Sequence, residues 1–332
     1  MFQALTRIGR RRALFGSAAV CALAGLLLWW LLPLGEESPS GTITISTGTP
    51  KGVYQMYGKL LQGAIAKDMP DLNVHLQDSD GSQQNIGRVA TGEADYTIAA
   101  ADAVETYILQ DKPGAKRLRG CSRLYDDYVH LVVLRSSPVQ SVEDLKGLKV
   151  AVGPSGSGVR LIANHVLDAA GLDPGKDIDP LAVGIADMPG LLADHKIDAF
   201  FWSGGLPTNA VRELAKTDDI RLVPIGSDLI EKLHEQGGGS RYYRSAVMPA
   251  DAYPRAQRGV AVPTLAVANF LITRDDADAN LTEELTRTVI GSRDRIGGVV
   301  HAAQLVDLRT AIYTDPLPLH EGARRYYRSI KP

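Results

Sequence analysis

The chain has 332 residues, 45% hydrophobic and 22% charged, the composition of a folded protein and not of a disordered or fibrous one. Its 36 Lys+Arg against 38 Asp+Glu leave a net charge of −2, so no basic excess exists to neutralise phosphates, which argues against a nucleic-acid partner. Two cysteines can build neither a disulfide framework nor a cysteine zinc site.

In chain order, residues 1–12 carry Arg7, Arg10, Arg11 and Arg12 without an acid, and residues 13–34 then run without a charge. A run of that length spans a bilayer as a helix, with the arginines on the cytoplasmic side and Trp29 and Trp30 at the far interface. Residues 1–12 are thus expected to be a cytoplasmic basic segment, 13–34 a transmembrane anchor and 35–41 a linker. The alternative is a signal peptide, which after cleavage leaves a secreted or periplasmic protein. The Arg11-Arg12 pair also permits a twin-arginine export signal. Either way the folded part lies outside the cytoplasm.

Beyond the linker, short apolar strands alternate with helical patterns, the mark of α/β layering. Residues 42–46 alternate with period two; glycine-rich 47–52 follows, then Tyr57, Leu60, Leu61, Ala64 and Ile65 at helical spacing. A strand is expected at 73–77, a helix at 82–94 with Ile86, Val89 and Ala90 inward, and a strand at 96–100. A helix opens at Asp102 with Glu105 as its capping box. Residues 128–135 predict a strand buried on both faces.

A new series starts after Pro138: strand 148–152, tight loop 153–158, and a helix marked by Val159, Ile162, Val166 and Ala169. Helix 187–196, strand 199–202 and helix 208–215 follow, and 221–225 closes the set. Residues 237–239 read as a flexible glycine loop and 245–253 as a short strand and turn. Residues 265–273 form another long strand, the expected partner of 128–135. One closing helix opens at Asn280 with Glu283 as its box and carries Leu281, Leu285, Val289 and Ile296; another lies near the end. The pattern predicts two lobes joined by two crossover strands, 42–135 with 265–330 as lobe 1 and 136–264 as lobe 2, with a cleft between them.

Both glycine-rich loops, 47–52 and 153–158, follow a strand and open a helix, an arrangement suited to an anion because free N–H groups and the helix dipole face outward. Thr49, Ser155 and Ser157 add hydroxyls; the plain alternative is a tight turn with a serine N-cap. Enzyme templates fail. Val159-Arg160 replaces the Lys-Ser/Thr of a P-loop, and 153–157 lacks the last glycine of a nucleophile elbow. The seven histidines show no metal-ligand spacing, and His165 and His195 read as ordinary helix residues. Asp126-Asp127 and Asp275-Asp276 read as solvated loop charge. No catalytic residue, metal or cofactor is therefore expected. Phe200 reads as core and Trp202 as a cleft residue, while Tyr54 suits either.

Residues 46–58 (STGTPKGVYQMYG), 81–85 (GSQQN) with 92–95 (GEAD), 141–158, 198–208, 262–264 (VPT) and 318–327 (PLHEGARRYY) resemble, in colinear order, the motifs of the TRAP-associated extracytoplasmic immunogenic (TAXI) solute receptors. The resemblance implies a two-lobed type II periplasmic-binding-protein fold that captures a small organic anion, an amino acid or small carboxylate, and hands it to a TRAP-type membrane permease. It points to Thr47, Gly48, Thr49, Tyr54, Ser82 and Asn85 from lobe 1. From lobe 2 come Ser155, Gly156, Ser157, Gly158, Trp202 and Ser203, with Pro263 and Thr264 at the return crossover. Lys51 replaces a small residue of the family loop; it either extends into solvent or pairs with an anionic ligand group. Ala99-Ala100-Ala101 stands before Asp102 where the family often has Gln-Ser. A membrane-anchored sensor and an enzyme on the same fold are the alternatives.

Overall fold

In a computed structural model that describes residues 38–330, the alternating run after the linker forms β1 (Gly41–Ser46), and the chain continues through α1 (Val53–Asp68), β2 (Leu72–Gln77), α2 (Ser82–Thr91), β3 (Tyr96–Ala100) and α3 (Ala101–Leu109). β1 pairs in parallel with β2 on one side and β3 on the other. All five residues of β3 are buried, as its apolar composition demands. α2 stops three residues earlier than its pattern suggests. Gly92 takes a left-handed conformation (φ 87°) there, and its N–H reaches back to the carbonyls of Arg88 and Val89.

α3 has no capping box. Ala100 is its N-cap without a side-chain bond, and Asp102 and Glu105 are both buried. Tertiary partners claim both carboxylates: the Tyr243 hydroxyl donates to Asp102 at 2.9 Å, and Arg241 pairs with Glu105 at 2.8 Å.

The middle of the sheet is β4 (Leu118–Leu134), a strand of 17 residues, set antiparallel to β10 (Val262–Arg274). Their ladder runs from Ala266 opposite Tyr128 to Arg274 opposite Leu118. The long apolar strand is therefore displaced from the expected pairing. β10 lies along 118–128, while Tyr128–Val133 pair with β7 (Ala199–Gly204). Charged residues hide this first half in the sequence, yet they sit on it in an orderly way: Arg119, Arg123 and Asp126 are only partly covered, while Leu118, Cys121, Leu124 and Tyr125 are buried.

The other side of the sheet is built from β5 (Lys149–Ala151), α4 (Gly158–Ala169), β6 (Asp179–Leu181), α5 (Met188–Ala193), β7, α6 (Asn209–Thr217), β8 (Ile220–Leu222), α7 (Ser227–Gln236), β9 (Arg244–Met248) and α8 (Pro254–Gln257). The strand order is β2-β1-β3-β10-β4-β7-β5-β6, with β8 on β4 and β9 on β10. The β4–β10 pair thus separates an arm of β1–β3 from an arm of β5–β7. The expected lobe boundaries fall one residue beyond β4 and inside β10.

Residues 237–239 are not a loose loop. A short 3-10 helix spans Gly238–Tyr242, and a β-carbon on Gly239 would stand 2.6 Å from Asp102 O and Thr106 Oγ1, so the bare glycine lets this segment seat on α3. After β10 comes α9 (Ala279–Gly291), capped by Asp278 and not Asn280: the Asp278 side chain accepts the Leu281 N–H at 2.7 Å. Ile296 belongs to a separate helix, α10 (Arg293–Gly297), and α11 (Glu321–Ser329) follows. One apolar core gathers α1, α9 and α11 around Ile45, Leu61 and Cys121. A second runs from α2 and α3 through Val132 and Phe200 to α4. Cys121 is a fully buried free thiol, and burial raises its pKa.

The expected basic segment 1–12 and anchor 13–34, with residues 35–37 of the linker, lie outside the described residues. Among the described residues no helix is long and apolar enough to cross a membrane.

Candidate functional site

Strands β1, β3, β5 and β7 all end at one cavity, open to solvent at its mouth. In open α/β sheets that position, beyond the strand carboxyl ends, is where ligands bind. Eight of the residues expected from the sequence line it: Gly48, Thr49, Tyr54, Ser82, Ser157, Gly158, Trp202 and Ser203. Asp80, Ala100, Asp127, Pro154 and Met188 complete much of the wall.

Each wall group is held by its own element. The loop after β1 folds over Tyr54 on the first turn of α1, where a β-carbon on Gly48 would lie 3.1 Å from Tyr54 Cβ. The half-buried Tyr54 turns its hydroxyl inward, donating to Asn269 Oδ1 of β10 at 2.5 Å and lying 3.0 Å from Ser82 Oγ. Burial raises the Tyr54 pKa, helped by the nearby Asp127, so the phenol keeps its proton and remains a donor. Ser82 in turn accepts the Ala100 N–H at 3.2 Å. The alanines at the end of β3 thus contribute through their backbone. On the opposite wall the Trp202 indole N–H is spent on Thr208 Oγ1 at 3.1 Å, which leaves Trp202 to offer ring carbons. Ser203 Oγ is buried without a hydrogen-bond partner.

Residues 81–84 and 153–158 close the cavity as a seam. Gln84 N–H donates to Gly156 O at 3.0 Å, and Gln83 Nε2 donates to Ser157 O at 2.8 Å. A β-carbon on Gly81 would come within 3.2 Å of Ser157 Cα, and one on Gly158 within 2.9 Å of Ser82 Oγ. Ser157 is also the N-cap of α4: its Oγ accepts from Arg160 N at 3.0 Å and donates to Pro154 O at 2.6 Å. Much of the hydrogen-bonding capacity of the 153–158 loop is therefore used within the protein.

The other seven expected residues stand off the cavity wall. Thr47 is buried beneath the loop, bonded to Gln77 O at 3.1 Å. Asn85 is a fully buried brace: its Oδ1 accepts from Ser46 and Ser79, and its Nδ2 donates to Thr47 O and Ile98 O. Ser155 is exposed, and Gly156 belongs to the seam. Thr264 donates to Val129 O within the sheet, and Pro263 is exposed beside it, accepting Ile225 N–H at 3.0 Å. Lys51 is exposed in a left-handed turn (φ 65°) and lines a neighbouring groove with Met56, Pro207, Val299 and His301, which meets the cavity at Gly52 and Val53.

Asp126 and Asp127 are not loop charge; both lie on β4. Asp126 faces outward between Arg123 and Arg244. Asp127 faces inward, is 4% exposed, lines the cavity, and has no hydrogen-bond partner at Oδ1. Burial pushes its carboxyl up to about 7 against a counter-pull from Asn269, with Asp126 and Asp102 adding to the rise. Neighbouring strand residues point to opposite faces, but register shifts in the β4–β10 ladder break strict alternation from Leu118, so which acid turns inward is set by the pairing. Asp275 and Asp276 are surface charges tied to Arg117 and Arg274. His165 packs in α4, its Nδ1 2.8 Å from the Tyr243 hydroxyl, while His195 follows α5 with φ 56°. Among the described residues no group of His, Cys, Asp and Glu could hold a metal ion.

A family model described as the NMT1-like family matches residues 45–330. Among solved structures, one described as a periplasmic transporter is 14% identical, with 88% of this chain and 93% of that chain covered at a TM-score of 0.56. A protein from Bordetella bronchiseptica RB50 is 19% identical over 88% and 90%, TM-score 0.52. A candidate L-cystine ABC transporter from Listeria monocytogenes is 15% identical over 80% and 98%, TM-score 0.51. At such identities these likenesses show the fold: mixed α/β and periplasmic-binding-protein-like.

Proposed function

Because this chain belongs to the NMT1-like family, we propose that it is an extracytoplasmic solute receptor of the TAXI type, taking up a small organic solute for a TRAP-type permease. The observation that carries this reading is the seamed cavity. Its walls come from both arms of the sheet, and residues 81–84 close against 153–158 across its edge. A solute held there touches both arms and so favours the closed arrangement over an open one, which is how a receptor reports occupancy to a permease. Thr49, Tyr54, Ser82, Ser157, Trp202 and Ser203 are the proposed contacts, hydroxyls setting orientation and Trp202 packing the carbon skeleton. An amino acid or small carboxylate is the proposed solute. The run 13–34 is proposed to hold the receptor at its membrane.

The test is mass spectrometry of small molecules released from the purified full-length chain, followed by calorimetry with the identified solute. Stoichiometric capture without turnover supports the receptor. Chemical conversion of the solute would make the protein an enzyme instead.

A further inference from the structure

Asp127 is a buried carboxylate in the cavity wall with nothing of opposite charge to answer it. Among the described residues no lysine, arginine or histidine lines the cavity. The titratable groups around Asp127 are Tyr54 from α1, Tyr125 and Asp126 from its own strand, and Asp102 from α3; none is a cation. From β10 the facing side chain is Asn269, a neutral amide whose pull on the carboxyl is outweighed by burial. A carboxylate taken out of water is costly unless it is paired. A simple anionic solute would worsen that cost, and at the supposed anion loop the Ser157 hydroxyl already donates its proton to Pro154 O.

We propose, on the basis of the receptor reading above, that the cavity selects a small solute carrying a primary ammonium group, which docks on Asp127. The ligand is then a zwitterion of amino-acid type and not a nitrogen-free carboxylate. Its own carboxylate falls to neutral donors, among them Ser203 on the neighbouring strand β7, whose Oγ has no other partner. The elevated carboxyl of Asp127 adds a signature: an arriving cation favours the ionised form, so binding near pH 7 expels a proton and affinity climbs as pH rises through about 7.

The experiment is calorimetry of the full-length protein with the proteinogenic L-amino acids, each beside its deaminated counterpart of the same carbon skeleton. At least one amino acid is expected to bind, its deaminated counterpart at least about thirtyfold more weakly, as for loss of one partner of a desolvated charge pair. Asp127→Asn should cut the amino acid's affinity by a similar factor and leave the deaminated acid within about threefold. A readout that needs no variant is the binding heat in buffers of different ionisation enthalpy near pH 7, which should report proton release. Deaminated acids that bind as tightly as amino acids, an unchanged Asp127→Asn, or binding without proton release overturns the ammonium assignment alone. Absence of binding by every probe, together with absence of any co-purifying small molecule, overturns the receptor reading and this assignment with it.

Discussion

The backbone carbonyl of Gly156 accepts the N–H of Gln84 at 3.0 Å, joining a loop after β5 to the first turn of α2. A β-carbon at 156 would stand 3.2 Å from Gln84 Cβ and 3.1 Å from Asp80 Cβ, so the seam needs glycine for closeness and not for an unusual dihedral. Gly156→Val should wedge the seam while leaving both cores intact. Small-angle scattering is expected to show a larger radius of gyration than wild type at saturating solute, with affinity lower by about tenfold. An unchanged radius would mean that closure does not depend on this contact.

Asp127 also sets a pH dependence of the empty protein. Its carboxyl is raised from an unfolded value of about 4 to about 7, so the native state holds more protons between those values and stability falls as pH rises through that window. Asp127→Asn removes the effect. It should match wild type near pH 4 and exceed it by on the order of 2–4 kcal/mol above pH 8, measured by urea unfolding without solute. Parallel stability–pH curves for the two proteins would contradict the burial argument.

The Tyr243 hydroxyl stands between His165 and Asp102, 2.8 Å from one and 2.9 Å from the other. Because the phenol donates to Asp102, His165 must offer its Nδ1 proton. Asp102 is raised to about 6, burial outweighing that bond, and its Oδ1 has no partner. Tyr243→Phe should raise it further and cost about 1–3 kcal/mol above pH 7. The loss should shrink below pH 5, where the carboxyl is protonated in both proteins. A deficit independent of pH would show that packing, and not this bond, matters at Tyr243.

Lys51 offers a contrast. It lies on an exposed turn at the neighbouring groove and off the cavity wall. Lys51→Met should change solute affinity by less than about threefold at low and high salt, since an exposed charge contributes little. A tenfold loss would bring Lys51 back to the ligand.

Much of this architecture was legible in the residues. β1 follows from a period-two run and the second half of β4 from an unbroken apolar one, and the glycine loops after β1 and β5 mark where the cavity opens. The first ten residues of β4 were not legible, because Arg119, Arg123 and Asp126 interrupt the apolar signal, and only β10 and the facing residues show them to be a strand. Asp127 was missed for the same reason: one residue of alternation decides whether an acid is a surface ion-pair member or a buried wall group. Asp102 and Glu105 have capping-box spacing, yet Tyr243 and Arg241, more than a hundred residues away, outbid the helix end for them. Thr264 and Asn85 carry polar atoms that belong to the frame, a role set by register within the sheet and by four converging hydrogen bonds.

Cys121 sits on β4 in the core covered by α1, α9 and α11 and is the one thiol among the described residues. Sealed there with its proton held by burial, it can meet an alkylating reagent only when that helix layer lifts from the sheet. The rate of its labelling is therefore a clock for local opening of this core, built into the native sequence.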